Sequence, residues 1–183
     1  NGRNGIATSI GHAPAAGLVH AKACAIHSIT EALTNIVWAP MEKGIKNISL
    51  SANWMWPCNN PGEDARLYEA VEAASDFSKA LGINIPTGKD SISMKQKYKD
   101  QDVLAPGTVV ISASAHCNDV RSVIEPVMRP SGYLYHIDWS ANSLELGGSA
   151  LYQTYHELGK QTPHGQDPEL ILRSFNAIQQ LIK

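Results

Sequence analysis

Charge is scarce in this chain of 183 residues: Asp, Glu, Lys and Arg make up 17% of it, against roughly 25% in an ordinary soluble domain. The 15 basic and 17 acidic side chains leave a formal net charge of −2. No Lys/Arg run exceeds two residues, which excludes a nucleic-acid coat. Cysteine is rare as well. Cys24, Cys58 and Cys117 are odd in number, widely spaced and without a C-x-x-C pair, which excludes a disulfide framework and points to reduced thiols in a cytoplasmic protein. No apolar run approaches about 18 residues, so no membrane-spanning helix is expected. A basic stretch leading into an apolar one, as in a secretory signal, is also missing. The hydrophobic share of 43% excludes a disordered chain. The length leaves room for one ordinary domain and part of a second. The chain opens on Asn1 rather than Met. With the low charge, this leads us to expect a piece of a longer polypeptide whose surface is normally covered by other domains.

The first twenty residues are rich in Gly and Ala and show no strong period. From about Lys22 to Trp38, Ile26, Ile29, Leu33, Ile36 and Val37 recur at helical spacing, and Pro40 ends the run. Lys46–Trp54 alternates as a half-buried strand would, with Ile48, Leu50, Ala52 and Trp54 on one side. A helix is expected over Glu63–Leu81, its first turn acidic and Gly82 stopping it. Strands are expected at Ile83–Thr87 and Val109–Ala115, with a hairpin or loop at Lys95–Asp102 between them. Asn118-Asp119 caps a short helix, and Pro126 with Pro130-Ser131-Gly132 reads as a linker. Beyond it we expect a strand at Tyr133–Trp139, a helix from Gly147-Gly148-Ser149 to Leu158, and a last helix over Pro168–Ile182. These elements divide the chain into residues 1–129 and a shorter part, 130–183, too small for an independent core.

Several positions suggest chemistry. Glu31 and Asn35 stand at i, i+4 on the first helix, away from Ile29, Leu33 and Ile36, so a carboxylate and a carboxamide oxygen lie side by side. Oxygen pairs of this kind suit Mg²⁺, which completes its shell with water and substrate phosphates; on spacing alone, a solvated helix face is the commoner outcome. Gly88-Lys89-Asp90-Ser91 follows a short strand, where Lys offers a point charge to phosphate and Gly allows close backbone approach. It is no Walker A loop, and on sequence alone an ordinary strand-end turn is the preferred reading. Gly147-Gly148-Ser149 offers helix-start N–H groups to an anion. Cys24 with His27, and His116 with Cys117, lack the second pair that a structural zinc site needs. No G-x-S-x-G elbow appears. Trp38, Trp54, Trp56 and Trp139 are expected in the core or at interfaces.

Taken in order, Glu31-Ala32-Leu33-Thr34-Asn35, Leu50-Ser51-Ala52-Asn53-Trp54-Met55, Gly62-Glu63-Asp64-Ala65 with Leu67-Tyr68, and Pro86-Thr87-Gly88-Lys89-Asp90-Ser91-Ile92-Ser93-Met94 form a series. Asp119-Val120-Arg121 and Leu146-Gly147-Gly148-Ser149-Ala150-Leu151 continue it. This series resembles the large, glutamine-dependent phosphoribosylformylglycinamidine synthases of purine biosynthesis, over essentially the whole chain. The resemblance implies an α+β fold like the N-terminal domain of aminoimidazole ribonucleotide synthetase, an antiparallel sheet with helices on one face. The opening of a C-terminal α/β domain follows it. The chain would be part of the second of two pseudo-symmetric halves.

The family reaction joins formylglycinamide ribonucleotide, ammonia and ATP to give the amidine, ADP and phosphate. By this resemblance Glu31 and Asn35 coordinate Mg²⁺ at an ATP/ADP phosphate site, and Gly88, Lys89, Asp90 and Ser91 lie near it. The partners implied are the first synthetase half, a glutaminase domain and a small-molecule substrate. The glutaminase cysteine and the first half's histidine motif do not occur in this sequence, so the chain alone is expected to be inactive. A homodimer through the exposed sheet is a further expectation. The alternative is a scaffold or structural nucleotide-binding module of the same superfamily.

Overall fold

Small inward-facing side chains decide how this chain packs. In a computed structural model, residues 2–140, 143–163 and 166–182 are described. Strand β1 (Gly5–His12) leads into helices α1 (Pro14–Val19) and α2 (Ala21–Ile36), then β2 (Ser49–Met55) and α3 (Glu63–Leu81). Next come β3 (Asn84–Ser91), the short β4 (Lys95–Lys97) and β5 (Asp102–Leu104), and the long β6 (Thr108–Cys117). Helices α4 (Ala150–Thr154) and α5 (Pro168–Leu181) follow.

Four strands form one sheet in the order β1-β6-β2-β3. β6 runs antiparallel to both neighbours, and only β2 with β3 is parallel. Alternation gives the sheet two unlike faces. Leu50 and Ala52 of β2 and Val109, Ile111, Ala113 and Ala115 of β6 are buried on the inner face, beneath α2 and α3. α2 buries Cys24, Ala25, Ile29, Ala32, Leu33 and Ile36 against them. It comes close enough for Ser28 Oγ to donate to Val109 O at 3.0 Å and Ser9 Oγ to donate to Ala32 O at 2.7 Å. This mixed, mainly antiparallel sheet with its helices on one side is the expected α+β architecture.

Several expected elements need correction. β1 and α1 occupy the stretch without a readable period. The strand expected from Lys46 begins instead as a 3-10 turn, Gly44–Asn47, and becomes β2 only at Ser49. α2 stops at Ile36, two residues before Trp38. The sheet takes in Gly88–Ser91 as the end of β3; the hairpin expected over Lys95–Asp102 is present, as an exposed ribbon of Lys95–Lys97 and Asp102–Leu104. The helix after Ser149 ends at Thr154 rather than Leu158. Most plainly, 133–139 is not a strand: Tyr133, Leu134 and Tyr135 are 91%, 90% and 82% exposed. Their alternation is intact, but a strand exists only when a second strand takes up its N–H and C=O groups. α3, by contrast, spans Glu63–Leu81 as expected, and Gly82 closes it at φ +69°. Asp119 caps a 3-10 turn, Val120–Ser122, through its side chain.

The later residues are not a separate layer. Ile171 and Phe175 of α5 are fully buried in the same apolar cluster as α2, α3 and the Gly44–Asn47 turn. A second tie lies at α2, where His27 Nε2 sits 2.8 Å from Pro163 O and, as the donor tautomer, hydrogen-bonds it. Burial lowers the His27 pKa from its ordinary 6.5. Below that value the unfolded chain holds more protons than the folded one, so stability is complete above about pH 6.5 and falls as pH drops towards the folded value. We expect the urea midpoint to fall between about pH 7.5 and pH 5, and His27→Gln to flatten that slope; an unchanged slope would contradict the burial of a neutral imidazole.

Candidate functional site

The last two turns of α2 lie along the free edge of β1. Glu31 Oε2 accepts from the backbone N–H of His12 at 2.6 Å and lies 3.5 Å from His12 Nδ1. Asn35 Nδ2 donates to Ile10 O at 3.0 Å. Even-numbered β1 residues direct these backbone groups away from β6, so the two side chains clip an edge that no strand among the described residues covers. Both residues are exposed. With Oε2 and Nδ2 engaged on β1, Glu31 Oε1 and Asn35 Oδ1 are the oxygens able to take a hard cation. Carboxylate and amide oxygens are the donors Mg²⁺ selects, so these residues fit that ion chemically. They are two ligands only: among the described residues, no group of three or more His, Cys, Asp or Glu is placed to hold a metal.

Gly88–Ser91 lies at the opposite edge of the sheet. His12, Val110, Asn53 and Lys89 share one rung across β1, β6, β2 and β3, so about 14 Å of sheet separates the ends. The fold therefore brings Glu31 and Asn35 together but does not bring Gly88–Ser91 to them. Lys89 Nζ donates to Ser91 Oγ at 2.8 Å, since i, i+2 side chains share a face. The glycine has a local reason: a Cβ at Gly88 would collide with Ala52 O of β2.

The sheet's outer face lies between the two regions. An open depression of about 790 Å³ runs across it, lined by Thr8, Ile10, Ser49, Ser51, Thr87, Ser112 and Ser114, with Asn35 on its rim. All four strands contribute hydroxyls. The alternate Ser49/Ser51 and Ser112/Ser114 are the one sequence signal that could have located this face. Asn53 stands beside it, and its buried Oδ1 has no hydrogen-bond partner.

Other candidates resolve as structural. The N–H groups of Gly147, Gly148 and Ser149 donate to Gln161 O, Leu158 O and Leu146 O, so this start offers no anion cradle. His116 is exposed and Cys117 buried, on opposite faces of β6, and the two cannot share a metal. Burial raises the pKa of Cys24, and burial followed by the Asp64 and Glu63 charges raises that of Cys58; neither is an activated thiolate. Trp56 is fully buried, whereas Trp38 is 45% exposed.

A model of the FGAR-AT PurM_N-like domain matches residues 1–116, which hold all of the sheet but the last residue of β6, and both proposed site regions. The chain belongs to this family. It is 37% identical to human phosphoribosylformylglycinamidine synthase over 182 residues, covering 98% of the chain and 14% of that protein. The synthase of Dictyostelium discoideum is 37% identical over 191 residues, covering 100% and 14%. That of Drosophila melanogaster is 38% identical over 183 residues, covering 98% and 13%. The chain thus spans about one seventh of these relatives. Among solved structures, Thermotoga maritima PurL complexed with ATP matches 69% of the chain and 20% of its own, with a TM-score of 0.51 and 15% identity. That likeness establishes the fold alone. α5 lies outside the segment the family model matches.

Proposed function

We propose that this chain is one part of a phosphoribosylformylglycinamidine synthase, the ATP- and glutamine-dependent carbon–nitrogen ligase that its relatives are named for, acting in the cytoplasm. Residues 1–129 would form the synthetase N-terminal-like domain and 130–183 the opening of the next. The observation that carries the site is the Glu31–Asn35 pair, held against β1 with one oxygen each to spare. Mg²⁺ bound there would neutralise nucleotide phosphate charge, and the chain's own residues fix its position through the clip on β1. Of Gly88, Lys89, Asp90 and Ser91, Lys89 and Ser91 would meet the ligand from the far edge of the outer face, with Lys89 as a point charge, while Gly88 and Asp90 alternate to the other face. Mg-ADP titration of the full-length polypeptide tests this: affinity that survives loss of both Glu31 and Asn35 overturns the site.

A second reading has a specific observation behind it. Glu31 and Asn35 are a two-residue candidate, and among the described residues no group of three or more His, Cys, Asp or Glu is placed to hold a metal, as suits a nucleotide held structurally and a chain that is inactive alone. Labelled ADP separates the readings, since a structural site retains its nucleotide while the ligase turns over.

The outer face also bears on assembly. Ile6 and Ile10 of β1 are 71% and 58% exposed on that face, apolar surface that a second copy can cover. We expect the isolated chain to form a homodimer through this sheet in place of the remaining synthase, with twice the 19.8 kDa chain mass by light scattering. A monomeric mass would overturn this expectation.

A further inference from the structure

Helix α2 closes on an i→i+3 bond, Ala39 N–H to Ile36 O at 3.2 Å, and not on a left-handed glycine. Its last carbonyls need partners, and a left-handed glycine commonly supplies them. Here the chain continues Val37-Trp38-Ala39-Pro40, with Val37 still right-handed at φ −59° and ψ −19°. Val37 and Ala39 are only 2% and 6% exposed, so water does not serve their carbonyls.

The partners for the carbonyls of Val37 and Ala39 arrive from about 140 residues away. Gln179 of α5 donates through Nε2 to Val37 O at 2.6 Å and to Ala39 O at 2.9 Å. Its Oε1 accepts from Met41 N at 2.8 Å. One carboxamide thus holds three backbone groups of the turn. Gln179 occupies the third place of an i, i+4, i+8 stripe whose first two members, Ile171 and Phe175, are apolar and fully buried. An apolar residue there would extend the core but leave buried carbonyls unpaired, a cost the amide avoids. Asn176 Oδ1, which accepts from Ile45 N at 3.3 Å, adds a second polar contact from the same helix.

The capped end belongs to the helix that carries Glu31 and Asn35. Val37 is two residues beyond Asn35, and Asn35 must keep its register to reach Ile10 O. We propose that Gln179 is a positioning residue for the Glu31–Asn35 pair. A helix outside the family-matched segment caps the helix of the cation ligands, so the pair is set for metal only while α5 is docked. The inference rests on the metal reading above and extends it to how that site is controlled.

The test measures ADP affinity with and without Mg²⁺ in the full-length polypeptide that carries this sequence. Gln179→Met keeps volume while removing all three bonds. We expect the Mg²⁺-dependent part of the affinity to fall about tenfold, the lower end of the effect of removing a residue that orients metal ligands, with metal-free ADP affinity unchanged. Gln179→Glu retains the acceptor for Met41 but sets a buried carboxylate against two carbonyls, so it should move the same way; urea unfolding of each variant separates a folding failure from a loss at the metal pair. Leu81→Ala, a core truncation on α3, should lower thermal stability without touching the Mg²⁺-dependent part. The inference is overturned if Gln179→Met leaves that part intact while Glu31→Ala removes it, a result under which the metal reading stands. Equal losses in Leu81→Ala and Gln179→Met would also overturn it, by reducing the effect to general loosening. If Glu31→Ala itself has no effect, the metal reading fails and the inference goes with it.

Discussion

Replacing both Glu31 and Asn35 by alanine is expected to weaken Mg²⁺-dependent nucleotide binding by roughly a hundredfold or more, above the usual effect of disturbing residues that merely support metal ligands. The expectation needs care, because each side chain has a structural partner. Glu31 Oε2 accepts from His12 N–H, and Asn35 Nδ2 donates to Ile10 O. Alanine therefore removes a cation ligand and unpins the edge of β1 together. Glu31→Gln separates the two effects. A carboxamide oxygen still accepts from His12, so stability should stay within about 0.5 kcal/mol of the parent, as for most exposed substitutions. The lost negative charge, however, weakens attraction for a hard cation. Calorimetry with Mg-ADP should show Glu31→Gln well below the parent and above the double alanine, with unchanged urea unfolding. Should Glu31→Gln bind like the parent, the carboxylate serves the strand and not a metal.

Much of the fold was open to reading because its helices keep a clean period. α3 runs from an acidic first turn to Gly82, and both ends are written in local residue types. β6 alternates buried and exposed positions over most of its length, which is why its middle was legible. β1 escaped for a physical reason. Its inward positions are Gly5, Ala7, Ser9 and Gly11, while Ile6 and Ile10 point outward. The apolar alternation a strand usually shows is inverted because α2 lies too close to admit large side chains. Tyr133–Trp139 failed the other way, with a strand's pattern but no partner strand to make it one.

The site was legible only in part. The i, i+4 spacing of Glu31 and Asn35 is local, and the helix keeps them together as expected. Their anchorage on His12 and Ile10 crosses about twenty residues, and no spacing rule carries that information. Gly88 suggested close approach to a phosphate, whereas the close approach present is to Ala52 of the neighbouring strand. Gln179 looks like a flaw in an apolar stripe until the turn at Val37–Met41 is placed against it.

The other large effect is expected at Gly11, a position with no charge and no ligand. Its backbone is not left-handed, so conformational freedom does not explain the glycine. A methyl group there would meet Ser28 O and Ala32 N of α2, which are backbone atoms and cannot rotate away. Either β1 or the helix must move, and the contacts at risk are Ser9 to Ala32, His12 to Glu31 and Ile10 to Asn35. We expect Gly11→Ala to cost about 3 kcal/mol, the upper end for overpacking a close-packed interior, and to take most of the Mg²⁺-dependent nucleotide affinity with it. Gly82→Ala is the proper comparison. Gly82 sits at φ +69° with no atom within 4 Å of where a Cβ would lie, so alanine there meets strain without collision and should cost only about 1 kcal/mol, with nucleotide affinity unchanged. Urea unfolding of the two variants side by side decides the matter. If Gly11→Ala is no more destabilising than Gly82→Ala, α2 does not press against β1 closely enough to hold Glu31 and Asn35 where the proposed site needs them.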